Sequence, residues 1–255
     1  MNRYALALAA TLAPPAAALG QASFTLTQDY AQDFDSMGTS GTTPPTDWSM
    51  WVGPSGTTNA TWATSITSAG VNAMVSAPTP LTATNSPAAN NNNGYNAARN
   101  AGNTSDRVIA TAPTTVSGAA IQLTLKNDTG ADVTGLRVSF DTVRFTAAAS
   151  ANELPGYWVF VSVNSGAWTN VMTNPTSTAV PNTVGVTTLR SGFDLTTALA
   201  DQASIRIRWV DDNALQSSPD QIIGLNNVVI GVPEPTAAAL LLPAVALVAR
   251  RRRVR

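Results

Sequence analysis

The hydrophobic positions fall in runs of period two. In AAIQLTLK, Ile121, Leu123 and Leu125 alternate with Gln122, Thr124 and Lys126. After the turn residues Asn127, Asp128, Thr129 and Gly130, Leu136, Val138 and Phe140 alternate with Arg137, Ser139 and Asp141. A strand sends successive side chains to opposite faces, so each run predicts a strand with one buried face. The turn between them predicts an antiparallel pair. Tyr157, Val159, Val161 and Val163 repeat the pattern, followed by a turn at Asn164, Ser165 and Gly166 and then Trp168. Ile205, Ile207 and Trp209 share a face, with Arg206 and Arg208 on the other. Ile222 to Gly231 is the last predicted strand. Near the start, Phe24 and Leu26 alternate with Thr25 and Thr27, and the run around Trp62 and Ile66 reads as a further strand. No segment of helical period reaches this clarity. The pattern predicts an all-β fold, an antiparallel β-sandwich of jelly-roll type.

Between these runs, Ser76 to Asn103 is rich in Pro, Asn and Ala, including NNNNGYNAARNAGN. Few of its side chains are large and apolar, so the stretch reads as a long surface loop within residues 76–103.

The two ends break the polar tone. Thr236 to Ala249 carries no charge and is rich in Ala, Leu and Val. As a helix at ~1.5 Å per residue it reaches roughly 20 Å, against ~30 Å for a bilayer core, and Pro243 interrupts it. Arg250, Arg251, Arg252, Arg253 and Arg255 follow it directly. Such a block resists translocation, which orients the segment with the body outside and the arginines in the cytoplasm. At the other end, Arg3, an apolar stretch from Tyr4 to Leu12 and a run of small residues form a secretory signal-peptide pattern. Cleavage after Ala22 fits the small-residue rule, and cleavage after Gly20 fits nearly as well. The division expected is a signal peptide at 1–22, a β-sandwich domain at 23–231 and a membrane-sorting segment at 232–255.

The order Val232-Pro233-Glu234-Pro235, apolar run, arginine block resembles the PEP-CTERM sorting signal of Gram-negative bacteria. The resemblance covers about the last 24 residues. It implies a transient transmembrane hold in the inner membrane and an exosortase, a membrane protease-transpeptidase, that acts near Pro233, Glu234 and Pro235. The stretches SDRVIAT, NDTGADVTGLRVSF, YWVFVSVNSGAWTNV and IRIRWVDDNA…DQIIGLNNVVI resemble, in order, the landmarks of secreted bacterial jelly-roll modules. That family typically has paired aspartates in its last strand, where this chain has Asn226 and Asn227.

Charge changes the picture once the ends are set aside. Six of the 14 basic residues and one of the 15 acidic residues lie in the ends, leaving eight against 14 in the body. A body with this acidic balance does not suit nucleic acid, which needs clustered Lys and Arg. With no Cys there are no disulfides, and with no His there is no Ser-His-Asp triad or His-based metal site. An enzyme built here would have to work with aspartates, Ser/Lys or Tyr, and carboxylate pairs suffice for glycoside hydrolysis.

Three groups of residues carry candidate chemistry. Asp211, Asp212 and Asp220 cluster between the last two strands, and Asp33 and Asp35 lie near the first. First and last strands of a jelly roll often neighbour each other, so these five could meet around a structural calcium ion, which takes six to eight oxygens. Asp is equally at home in solvated turns. Trp48, Trp51 and Trp168 lie near loops and are candidates for stacking on sugar rings, whereas Trp158 and Trp209 read as core. Arg206 and Arg208 read as an exposed or partly paired face, and a carboxylate-binding role for them depends on geometry.

The leading expectation is a non-catalytic exported protein of the cell surface or extracellular matrix, in a bacterium that makes exopolysaccharide. A carbohydrate-binding module is the alternative, and an aspartate-based glycan hydrolase or lyase the second alternative. The partners implied are the exosortase, the inner membrane and extracellular polysaccharide.

Overall fold

The computed structural model describes residues 22–53, 62, 65–77, 79–88, 94–100, 102–147, 156–172, 183–185, 187–213 and 220–233. Fourteen strands form among them: β1 Ser23–Phe24, β2 Tyr30–Gln32, β3 Trp48–Val52, β4 Val75–Ser76, β5 Thr82–Thr84, β6 Gly94–Asn100, β7 Asn103–Thr111, β8 Gly118–Asn127, β9 Leu136–Thr146, β10 Trp158–Val163, β11 Thr169–Met172, β12 Thr187–Leu195, β13 Ser204–Asp212 and β14 Ile222–Gly231. A single 3-10 turn spans Asp35–Met37, and a short α-helix, α1, spans Ser68–Ala73. Thr67 caps it by accepting the Gly70 N–H. No helix among the described residues is long and apolar enough to cross a membrane. The apolar tail and its arginines lie outside the described residues.

The strands make two sheets. The first runs β11-β10-β13-β8-β3-β4, with β1 added in parallel to the end of β8. The second runs β12-β9-β14-β7-β6-β5, with β2 lying along the later half of β14. Ile121, Leu123, Leu125, Ile205 and Ile207 from the first sheet meet Ile109, Leu136, Val138, Ile223 and Leu225 from the second in one core. Its centre is aromatic: Trp48 stacks on Trp209 with centroids 5.6 Å apart, and Phe34 and Phe140 meet these two rings edge-on. Two sheets closed on a shared apolar layer are a β-sandwich, as the alternation predicted.

The expected pairing of Ile121–Lys126 with Leu136–Asp141 is not made. β8 and β9 lie in opposite sheets and face each other across the core. Both edges of β8 are taken, by β13 on one side and by β3 and β1 on the other. The crossing is pinned by Asn127. Its side-chain N–H group lies 2.9–3.0 Å from the carbonyls of Ala131, Leu199 and Ala200. Its carbonyl accepts the Thr129 N–H. The residues read as a hairpin turn thus form an arch between layers.

The stretch expected to be a loop, 76–103, holds β5 and β6. β6 is buried from Gly94 to Ala98 and pairs with β7. Small side chains suffice there because Asn96 replaces apolar bulk with hydrogen bonds. Its amide donates to the carbonyls of Gly38 and Gly41 at 2.8 and 2.9 Å and accepts from Arg107 Nε at 2.8 Å. A buried polar group fully paired in this way costs little. Two other expectations differ in detail. β1 stops at Phe24 and leaves Leu26 exposed. Trp62 and Ile66 are buried as expected, yet Trp62 lies in a bend and Ile66 leads into α1.

Candidate binding surface

Strand alternation in the first sheet sends Trp48, Met50, Ile121, Leu123, Val159, Ile207 and Trp209 inward. The intervening side chains form an outward face, where Ser49, Gln122, Arg208 and Phe160 share one row across four strands. Trp51, Ala120, Val210 and Trp158 form the next row. The segment carrying Trp62, Ile66, Val71 and Met74 covers one side of this face. Glycines permit that close approach: a Cβ at Gly118 would meet the Trp62 ring at 2.6 Å, and one at Gly70 would meet Trp62 Nε1 at 2.8 Å.

Arg208 lies at the centre of this face and is only 2% exposed. Its guanidinium carbon is 3.9 Å from the centre of the Trp51 ring and 4.4 Å from that of Trp168. Cations over aromatic faces gain about 0.5–2 kcal/mol each, most when desolvated. Nε donates to Gln122 Oε1 at 2.8 Å, and Nη1 donates to the Val71 carbonyl. Arg206, two residues earlier, sits 5.0 Å from the Trp168 ring and donates through Nη2 to Ser162 Oγ at 2.9 Å. Ser162 in turn donates to the Gly166 carbonyl. That bond ties the arginines to the β10–β11 turn, in which Asn164 and Ser165 both adopt positive φ, as a tight hairpin of this hand requires. Burial, and then the neighbouring Arg206, pulls the Arg208 guanidinium down to about 9. It remains a cation at neutral pH. Among the described residues, the ion pairs are those of Arg99 and Arg137, and neither Arg206 nor Arg208 has a carboxylate partner.

The structure sorts the candidate tryptophans. Trp51 and Trp168 share the outward face and flank Arg208, Trp51 half-buried and Trp168 almost wholly so. Trp48 is a correction: it is a core residue, stacked on Trp209, with its Nε1 donating to Tyr30 OH at 2.6 Å. β3 begins at Trp48, and its alternation turns that ring inward and Trp51 outward. Trp158 is buried as expected, in a second apolar cluster on the outward face rather than between the sheets.

The five aspartates are not gathered. Asp33 and Asp35 are exposed; Asp33 accepts the Asp35 N–H, and Asp35 accepts the Arg107 N–H at 2.6 Å. β2 does lie beside the last strand, but in the register Gln32 to Val228. Asp33 therefore stands near residue 227, roughly 20 Å along the strand from Asp220 at ~3.3 Å per residue. Asp211 and Asp212 are buried at the end of β13, in the other sheet. Asp211 accepts from Thr111 Oγ1 at 2.7 Å and from Gln221 Nε2 at 2.8 Å. Tyr157 joins this network through Thr111 and donates to the Ile223 carbonyl. Burial, reinforced by Asp211, pushes the Tyr157 hydroxyl well above its usual range. No group of three or more acidic residues suited to a metal ion occurs among the described residues. The structure thus separates Asp33 and Asp35 from Asp220, and places Asp211 in a hydrogen-bonded network that joins the two sheets.

Of the sorting residues, Pro233 lies just after β14, and Glu234, Pro235 and Arg250 to Arg253 lie outside the described residues.

No family model matches the chain, and no curated protein matches it. Among solved structures, it is similar to a family 35 carbohydrate binding module from Clostridium thermocellum, with 10% identity and a TM-score of 0.29 over 49% of this chain and 76% of that one. It is also similar to the mosquito-larvicidal Cry4Aa toxin from Bacillus thuringiensis, with 11% identity and a TM-score of 0.29 over 56% of this chain and 21% of the toxin. At this level of similarity neither neighbour assigns a ligand to the chain.

Proposed function

We propose that the chain is a non-catalytic exported protein of the bacterial cell surface or extracellular matrix, built on a jelly-roll sandwich and sorted by its tail. One observation carries this reading. The strands run from Ser23 to Gly231, and the Pro-Glu-Pro motif begins two residues after the last of them. The folded body therefore fills the space between the two export signals read from the sequence. In this reading the arginine block stops the tail at the inner membrane until an exosortase acts. Replacing Arg250 to Arg253 with neutral residues removes the positive stop. Cell fractionation is expected to show less inner-membrane precursor, and unchanged retention would overturn the role of the arginines.

The alternative, a carbohydrate-binding module, is favoured by Trp51 and Trp168 on one outward face. Binding on a glycan array tests it. An aspartate-based glycoside hydrolase works with two carboxylates facing its substrate. Asp211, buried and bonded to Thr111 and Gln221, serves as a structural acceptor instead.

A further inference from the structure

We infer that the buried network around Asp211 forms a covalent cross-link within the chain: Thr111 Oγ1 joins Gln221 Cδ as an ester, with loss of ammonia. The step occurs once per molecule. It goes beyond the non-catalytic surface reading and leaves that reading intact.

Four side chains carry the chemistry. The Asp211 carboxylate holds the nucleophile on one oxygen and the leaving group on the other. Thr111 Oγ1 donates to Oδ2 at 2.7 Å, and Gln221 Nε2 donates to Oδ1 at 2.8 Å. Arg144 Nη1 donates to Gln221 Oε1 at 3.0 Å, the atom on which negative charge develops when the carboxamide is attacked. Tyr157 OH lies 3.1 Å from Thr111 Oγ1 and orients it. The backbone brings the reacting pair together. Thr111 on β7 lies opposite Ile223 on β14, so Gln221, two residues before Ile223, is its diagonal neighbour. Diagonal positions are roughly 7–8 Å apart, a gap that a long side chain spans. Thr111, Arg144, Tyr157, Asp211 and Gln221 are all buried. Water is thereby kept from competing with the hydroxyl and from hydrolysing the product.

The step balances within these groups. Asp211 takes the Oγ1 proton as Oγ1 attacks Cδ, and Arg144 holds the oxyanion. A turn of the carboxyl group gives that proton to Nε2. The Cδ–Nε2 bond then breaks, ammonia leaves, and the ester remains; no oxidant or reductant takes part. Before reaction Asp211 is a hydrogen-bond acceptor, and the same contacts arm it as the base. The chain has no cysteine. The ester closes the stretch from β8 to β13 into a covalent loop, as a disulfide would.

The full folded chain is held at neutral pH, then unfolded, digested with trypsin and read by mass spectrometry. The peptide Val108–Lys126 is expected to be joined to the one that begins at Trp209, lighter than their sum by one ammonia. Hydroxylamine, which cleaves esters, is expected to part them. Thr111→Ser is expected to keep the link and Thr111→Val to lose it. Arg144→Met is expected to slow its formation by about a hundredfold or more, the loss of one oxyanion donor. The parent chain alone decides the matter, even if a variant misfolds. Separate peptides from the folded parent, or Gln221 deamidated by water instead of joined, would overturn the cross-link. A link that resists hydroxylamine or survives Thr111→Val would overturn the ester, and an unchanged rate in Arg144→Met would overturn the role of Arg144. Export and sorting are judged separately, by fractionation.

Discussion

The outward faces of the two sheets solve the same problem in opposite ways. Each holds a partly or fully buried arginine. On the second sheet, Arg99 lies between two carboxylates, 3.7 Å from Asp106 and 3.8 Å from Asp141. Asn226 and Asn227 bind the same two aspartates. On the first sheet, Arg208 lies between two indole rings, and Arg206 shares one of them. One face ends with a surplus of negative charge and every described group paired. On the other, neither Arg206 nor Arg208 has a carboxylate ion-pair partner among the described residues. A sandwich can therefore bury arginine by neutralising it with carboxylates or by packing it between rings.

The largest test of that contrast is Trp168→Ala. It deletes a buried indole that touches both arginines, and truncating a buried tryptophan costs about 3–5 kcal/mol. Urea melts measure the loss. A cost below about 1 kcal/mol would mean that the rings do not hold the cations. A smaller effect is expected on the other face. Arg99 is part-exposed and its ion pairs are long, so Arg99→Gln is expected to cost less than about 1 kcal/mol in low salt. In 1 M salt, where the screening length falls to ~3 Å, that difference should nearly vanish. A salt-independent loss would mean that Arg99, too, is held by packing, and the two faces would be alike.

The smallest effect concerns the mirror image of the first sheet: a carboxylate without a cation. Asp220 Oδ1 is buried and has no hydrogen-bond partner. Burial raises its pKa above the ordinary aspartate value. Between the two values the folded state binds more protons than the unfolded state, so stability falls as pH rises through that window. The penalty is complete above the raised pKa. Asp220→Asn is therefore expected to be more stable than the parent at pH 7, by less than about 1 kcal/mol because the group is part-solvated. The advantage should vanish below pH 4. Melts at both pH values check this. A loss at pH 7 would show that the charge of Asp220 is paired, and an advantage that persists at low pH would show that the gain does not come from its charge.

Period-two alternation was enough to establish the all-β class, the inward set Ile205, Ile207 and Trp209, and the hairpin around Asn164 to Gly166. These are local consequences of side-chain direction along a strand, and they hold whatever the strand pairs with. Alternation also placed Arg206 and Arg208 on one face. The two ends and their charge asymmetry are likewise properties of the chain alone. Pairing partners are different, because a strand's edges are filled by segments far away in sequence. Only the tertiary structure sent β8 and β9 into opposite layers, because β13, β3 and β1 already occupy the edges of β8. It turned 94–100 into a buried strand, because Asn96 finds carbonyls some 55 residues away. It separated Asp33 and Asp35 from Asp220 through the register of β2 on β14. It also put Trp51 and Trp168, 117 positions apart in the numbering, on either side of one guanidinium. Composition listed the tryptophans and arginines, but their meeting depends on the order of strands in the sheet, which no local pattern encodes.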